Sequence, residues 1–124
     1  MIYVGFSANL RRGFLGLAVL FALIIVVKSL MPAIPTSYVS NIDKVAHMFA
    51  YLALGAVTLP AFARVKPLII WCGLCGFGAS IEVIQGVLST GRTFDLLDGA
   101  ANALGALLAV AGWIILTRLA KKIT

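Results

Sequence analysis

Apolar residues run along this chain in four blocks, each long enough to cross a bilayer and each closed by a short polar or proline-bearing stretch. A spanning helix needs about 20 mostly apolar residues. The first block runs from about Gly13 to Met31 and stops at Pro32 and Pro35, because proline lacks the donor that a continuing helix needs. The second runs from about Ile42 to Ala63, with Ser40 and Asn41 as candidate caps and Asp43 at capping-box spacing from Ser40. A tight turn, Arg64 to Pro67, leads to the third block, about Leu68 to Leu88. Ser89 to Thr93 form the next turn, and the fourth block runs from about Phe94 to Thr117. The pattern predicts an all-α, four-helix transmembrane bundle in a single membrane domain.

Composition removes the soluble alternative. The chain is 62% hydrophobic and 11% charged, too poor in polar side chains to clothe a water-facing surface. Its 124 residues leave no room for a separate soluble domain beside four spans. The first apolar stretch is expected to be retained, since no A-x-A site follows it and Pro32-Ala33-Ile34-Pro35 is an unusual cleavage context.

Short turns make neighbouring helices antiparallel, and the charges then separate by side. Arg11, Arg12, Arg64, Lys66, Arg118, Lys121 and Lys122 fall on one side with no acid among them, which the positive-inside rule makes cytoplasmic. Both termini are then cytoplasmic. Nucleic acid is not an expected partner, because the basic residues are dispersed at helix ends where topology explains them. Lys28 is expected to snorkel to the headgroups, and Tyr38, Trp71 and Trp113 fit the interfacial habit of aromatics.

Small residues suggest close packing. Ala101, Gly105 and Ala109 recur every four residues and Gly112 extends that surface, while Gly73, Gly76 and Gly78 crowd the third span. Cys72 and Cys75 form a C-x-x-C, but no strand precedes them and no nearby charge would activate a thiol. They read as two small residues at a helix contact.

Every acid and the only histidine lie in three short segments: Asp43 to His47, Glu82 to Gln85, and Arg92 to Asp98, with Asn102 beyond. Asp43, His47 and Tyr51 are four apart and share a helix face; Asp95, Asp98 and Asn102 follow an i, i+3, i+7 pattern. At 1.5 Å per residue, Glu82 lies roughly 9 Å below Leu88 and Asn102 about 10 Å below Asp95. Glu82 and Asn102 are therefore expected at similar depth, with His47 and Asp98 somewhat nearer the surface, all on the extracytoplasmic side. Ionisable groups inside spans cost about 2.5–3.5 kcal/mol each, so they need partners or a wet cavity.

Two accounts of the cluster stand side by side. Helix capping and the helix dipole suffice for Asp43 and Asp95, and a buried network can exist only to fix helix register. A functional pocket is the sharper expectation for Glu82, His47, Asp98 and Asn102. Four acids against Lys44 and Arg92 leave the cluster net negative, which predicts a protonated carboxyl, a charged histidine or a bound cation. A protonated carboxyl at that depth suits general acid or base work. No metal or other cofactor is expected; His47 with three carboxylates would suit a divalent cation, but no H-E-x-x-H or similar spacing is present.

Asp43-Lys44-x-x-His47 opening one span, Glu82-x-x-Gln85 ending the next, then Arg92-x-x-Asp95-x-x-Asp98 and Asn102-x-x-Gly105 resemble the VanZ-like family. The resemblance covers roughly Ile42 to Ala109. It implies a bacterial inner-membrane protein, and the founding member is associated with low-level resistance to the glycopeptide teicoplanin. That association implies a pocket near lipid-linked cell-wall precursors or membrane lipid. In that pocket His47, Glu82 and Asp98 are the expected catalytic groups, with Glu82 and His47 as the proton-transfer pair. Lys44 and Arg92 are expected to contact an anionic group, and Asp43, Gln85, Asp95 and Asn102 to complete the binding site. The alternative is a non-enzymatic accessory protein whose polar network is structural. A proton-coupled carrier is disfavoured, because the inner halves of the last three spans carry no polar path.

Overall fold

Local devices set several of the helix ends. In the computed structural model, residues 5–32, 40–88, 91 and 93–123 are described, as four helices and their connections. Helix α1 spans Ala8–Leu30; the Ser7 hydroxyl accepts the Leu10 N–H at 3.3 Å and starts it. Met31 turns extended ahead of Pro32, as a residue before proline must, and ends it. Helix α2 spans Ser40–Ala61 and carries Pro60 in its last turn. Helix α3 spans Pro67–Val87, with proline at its first position, where the missing N–H has no partner to lose. Gly91 between α3 and α4 takes a φ of 75°, a left-handed conformation that favours glycine.

Helix α4 spans Leu96–Ile123 and continues through the basic tail beyond the expected end of the span. Nothing in that tail breaks a helix, and Lys121 and Lys122 suit its negative C-terminal dipole. All four helices are long and apolar enough to cross a membrane. The Ser40 side chain, Tyr38 and Arg92 lie outside the described residues, so the expected α2 cap and the Arg92 contact do too.

Interior and exterior are inverted relative to a water-soluble protein. Leu23, Ile69, Leu97 and Leu116 are exposed, whereas Glu82, Gln85 and Asn102 are buried. Lipid solvates such a surface; water does not. The core joins Tyr51, Leu54 and Leu59 of α2, Ile70 and Leu74 of α3, and Ala106, Ala109 and Val110 of α4.

Helix α2 is the centre of the bundle: α4 packs on it most extensively and α1 packs on it too, while α3 leans chiefly on α4. The seam between α2 and α4 depends on Gly105, where an added Cβ would collide with the Met48 carbonyl. A Cβ on Gly55 would come within 2.6 Å of the Ala109 Cβ. Gly105 and Ala109 of the expected small-residue stripe on α4 thus contact α2, whereas Gly112 faces open space. The expected crowding on α3 holds only at Gly78; Gly73 and Gly76 face open space. Cys72 is exposed, so the pair of thiols is not a helix contact as expected; Cys75 alone is partly covered.

The Arg11 Nε–H donates to the Ala61 carbonyl at 3.3 Å, and Phe6 stacks on Trp113 at 6.0 Å. The start of α1 therefore lies at the same end of the bundle as the end of α2 and the second half of α4. Helices α2 and α4 run parallel, and the polar residues collect at the opposite end.

Candidate functional site

The polar end is assembled from the starts of α2 and α4 and the end of α3. Asp95 caps α4: its Oδ1 accepts the Leu97 N–H at 2.9 Å, and its carbonyl accepts from Asp98 and Gly99. Its own backbone N–H donates to Glu82 Oε2 at 3.2 Å, so a carboxylate from α3 sits at the positive end of α4. Glu82 is 2% exposed, and its Oε1 finds no hydrogen-bond partner among the described residues. That orphaned acceptor is costly in lipid unless a proton or a small polar guest meets it.

Lys44 bridges α2 to α4, with its Nζ 3.2 Å from Asp95 Oδ2 and 3.5 Å from Asp98 Oδ1. The Leu97 N–H and the Lys44 ammonium hold the Asp95 carboxyl below the usual carboxylate range. One turn deeper, His47 Nδ1 lies 3.0 Å from Asn102 Oδ1. The asparagine oxygen only accepts, so this contact places a proton on Nδ1. Nε2 then faces carboxylates on both sides, 3.8 Å from Asp43 Oδ2 and 3.7 Å from Asp98 Oδ2. The result is a histidine oriented by an amide, with its second nitrogen lying between two carboxylates.

Gln85 is buried, and its amide donates to the Ser29 carbonyl of α1 at 2.6 Å. It ties α1 to the bundle. The sequence-predicted residues thus divide. Asp43, Lys44, His47, Asp95, Asp98 and Asn102 form one connected cluster; Glu82 joins it through the Asp95 backbone, and Gln85 turns toward α1.

A cavity of about 250 Å³ opens beside this cluster between α1 and α2. Ile24, Ile25 and Ala50 make its apolar wall, and Lys28, Ser29, Asp43 and His47 its polar part. Lys28, expected only to snorkel, therefore lines the cavity. Its signal in the sequence was a single charge in an otherwise apolar run. Tyr51 also lines the cavity, is 1% exposed, and keeps a buried hydroxyl without a hydrogen-bond partner among the described residues. A Cβ on Gly78 would stand 3.1 Å from that hydroxyl and 3.1 Å from Asn102 Nδ2, so the glycine keeps both polar groups in place.

Asp43, His47 and Asp98 each offer one oxygen or nitrogen within 4.8 Å of the others, a set that would suit a hard or borderline divalent cation. Lys44 already places a positive charge beside Asp98 and would compete with it.

No curated protein and no solved structure matches the chain. The model of the VanZ/LLP1 family matches residues 7–117. That stretch takes in α1, which the motif resemblance did not reach, together with the whole polar cluster. The chain is a four-helix membrane protein and belongs to the VanZ/LLP1 family.

Proposed function

We propose that this protein binds the polar end of a lipid-linked or amphiphilic molecule in the cavity between α1 and α2, at the extracytoplasmic leaflet of a bacterial inner membrane. The observation that carries the reading is the make-up of that cavity, apolar along Ile24 and Ile25 and polar at Lys28, Asp43 and His47. An amphiphile has the same division. The acid-free basic end supports the sidedness, since cytoplasmic ends of spans carry excess Lys and Arg.

Size narrows the ligand. Sites that enclose a drug-sized molecule run to about 300–1,000 Å³, and this cavity is about 250 Å³. It suits a headgroup or one chain segment, with the rest of the molecule in lipid. A whole glycopeptide does not fit. A role in teicoplanin resistance would then run through a cell-wall lipid precursor and not through capture of the drug. In this reading His47 exchanges a proton at Nε2, Asp43 and Asp98 take up or return it, and Lys28, Lys44 and Arg92 attract an anionic group. Asn102 orients the imidazole. Glu82 positions the start of α4, and Gln85 holds α1 against the cavity.

The test is photocrosslinking of the protein in nanodiscs with a photoactivatable polyprenyl-phosphate lipid. Labelling is expected on α1 and α2, and Ile25→Trp, which fills the apolar wall, and His47→Ala should each suppress it. Labelling that survives both substitutions in folded protein rules the site out. Expression in a teicoplanin-sensitive host, with and without His47→Ala, tests the link to resistance.

A purely structural network is the second reading, and a specific observation favours it. The Glu82, Lys44 and Gln85 contacts each join two helices. If His47→Ala and Glu82→Gln lower stability in detergent in step with labelling, the structural account stands. If labelling is lost at unchanged stability, the binding account does.

A further inference from the structure

A larger hollow lies at the opposite end and holds none of the residues of the polar cluster. It is a groove of about 510 Å³ where the start of α3 meets the end of α4. Its floor is Leu107, Val110 and Ile114, and Trp71 and Trp113 flank it. Lys66, at the N-cap of α3, and Arg118, in the last turns of α4, border it.

We infer that this groove holds an anionic phospholipid, with the phosphate between Lys66 and Arg118 and an acyl chain along the floor. Three observations support it. Every aspartate and glutamate of the chain lies in the segments of the other end, so these two cations have no carboxylate side chain of their own to neutralise them. The floor is apolar over the length of two helical turns, which suits an acyl chain and not a free inorganic anion. The Trp71 indole is fixed by donating to the Ala103 carbonyl at 3.0 Å, and Trp113 is stacked against Phe6, so the flanking rings are held in place. Basic pockets between helices on the cytoplasmic side are a recurrent headgroup-binding arrangement. Topology alone accounts for basic residues at this end, but it does not account for two of them bordering a slot flanked by both tryptophans.

The two tryptophans are the only ones in the chain, so their emission reports on the groove directly. The protein is reconstituted in phosphatidylcholine vesicles that contain either brominated phosphatidylglycerol or brominated phosphatidylcholine at equal mole fraction. Brominated phosphatidylglycerol is expected to quench at a several-fold lower mole fraction. Lys66→Ala and Arg118→Ala should each reduce that preference about five-fold or abolish it, the share of one headgroup-facing cation. Lys121→Ala with Lys122→Ala removes as much charge from the same end outside the groove and should leave the preference in place. Equal quenching by the two lipids in the wild-type protein overturns the proposal, and that comparison needs no variant to fold. So does a loss in the Lys121/Lys122 variant as large as in the other two, which would mean a diffuse surface potential.

Discussion

Where α2 and α4 begin, the helices meet through charged and amide side chains: Lys44 on Asp95 and Asp98, His47 on Asn102, Glu82 on the Asp95 backbone. Toward their ends the packing is apolar, with Trp71 and Trp113 beside it, and the side-chain bonds run to backbone carbonyls, from Arg11 to Ala61 and from Trp71 to Ala103. The first end carries every acid of the chain; the second carries none. The contrast separates two jobs that a membrane bundle has to do. Apolar contact brings helices together but leaves their rotation loosely specified, because lipid is as apolar as the partner helix. Polar contacts fix rotation, at the cost of groups that must all be paired. Among the described residues, the buried side-chain atoms without a hydrogen-bond partner, Glu82 Oε1, Asp98 Oδ1 and the Tyr51 hydroxyl, all lie at the polar end, and Tyr51 lines the cavity there.

The α2–α4 seam, which both ends share, is the most sensitive part of the bundle. Gly105→Ala should destabilise the bundle by about 3 kcal/mol, the upper end of overpacking costs, since the new methyl meets backbone and not a movable side chain. Thermal unfolding in detergent reads it, and an unchanged midpoint would mean the seam is looser than described. Glu82→Ala comes next. It strips the acceptor from the Asp95 N–H and should cost about 1–2 kcal/mol, as losing a cap does. Hydrogen exchange should quicken at the first turn of α4 and stay unchanged at the basic end. Glu82→Gln, which keeps an acceptor oxygen, should recover most of that loss.

Arg11→Ala is the matching change at the other end. It removes one bond to a helix-end carbonyl and should cost about 0.5–1 kcal/mol, with faster exchange confined to the end of α2. The smallest effect is one of pH. The Asp95 carboxyl is held below its ordinary value of 3.8, so its contribution is fully present above that value and is lost as pH falls through the lower folded value. Protection of the Leu97 amide should therefore be flat from pH 7 to pH 5 and decline only in stronger acid. A decline already near pH 6 would place control of this turn in another group.

Much of the fold was legible because bilayer thickness fixes span length and proline fixes where spans stop. The cluster was legible because acids are rare in this chain, and Asp43, His47, Asp98 and Asn102 sit at helical spacing. What escaped has one physical origin. In a membrane protein both the core and the exterior are apolar, so hydrophobic periodicity does not say which face points inward. Cys72, Gly73 and Gly76 were read as contacts and face outward for that reason. Lys28 was assigned to the headgroups and lines the cavity, and Gln85 was placed with the cluster and turns to α1. The pairing of α2 with α4 over its sequence neighbour α3 was equally hidden, because it rests on close approach at Gly55 and Gly105 and on side-chain contacts between distant segments.

The parallel pairing of α2 with α4 also orders the protein's biogenesis. Of the four helices α2 is the least apolar, and the partners of Lys44 and His47 emerge from the ribosome 51 and 55 residues after them. Until α4 has been made, Lys44 and His47 of a nascent α2 lack their α4-side partners, and only the Asp43–His47 pair is available within the helix. A chain truncated after α3 would thus lack the helix on which α2 packs most extensively, and the bundle closes only when its last helix is in place.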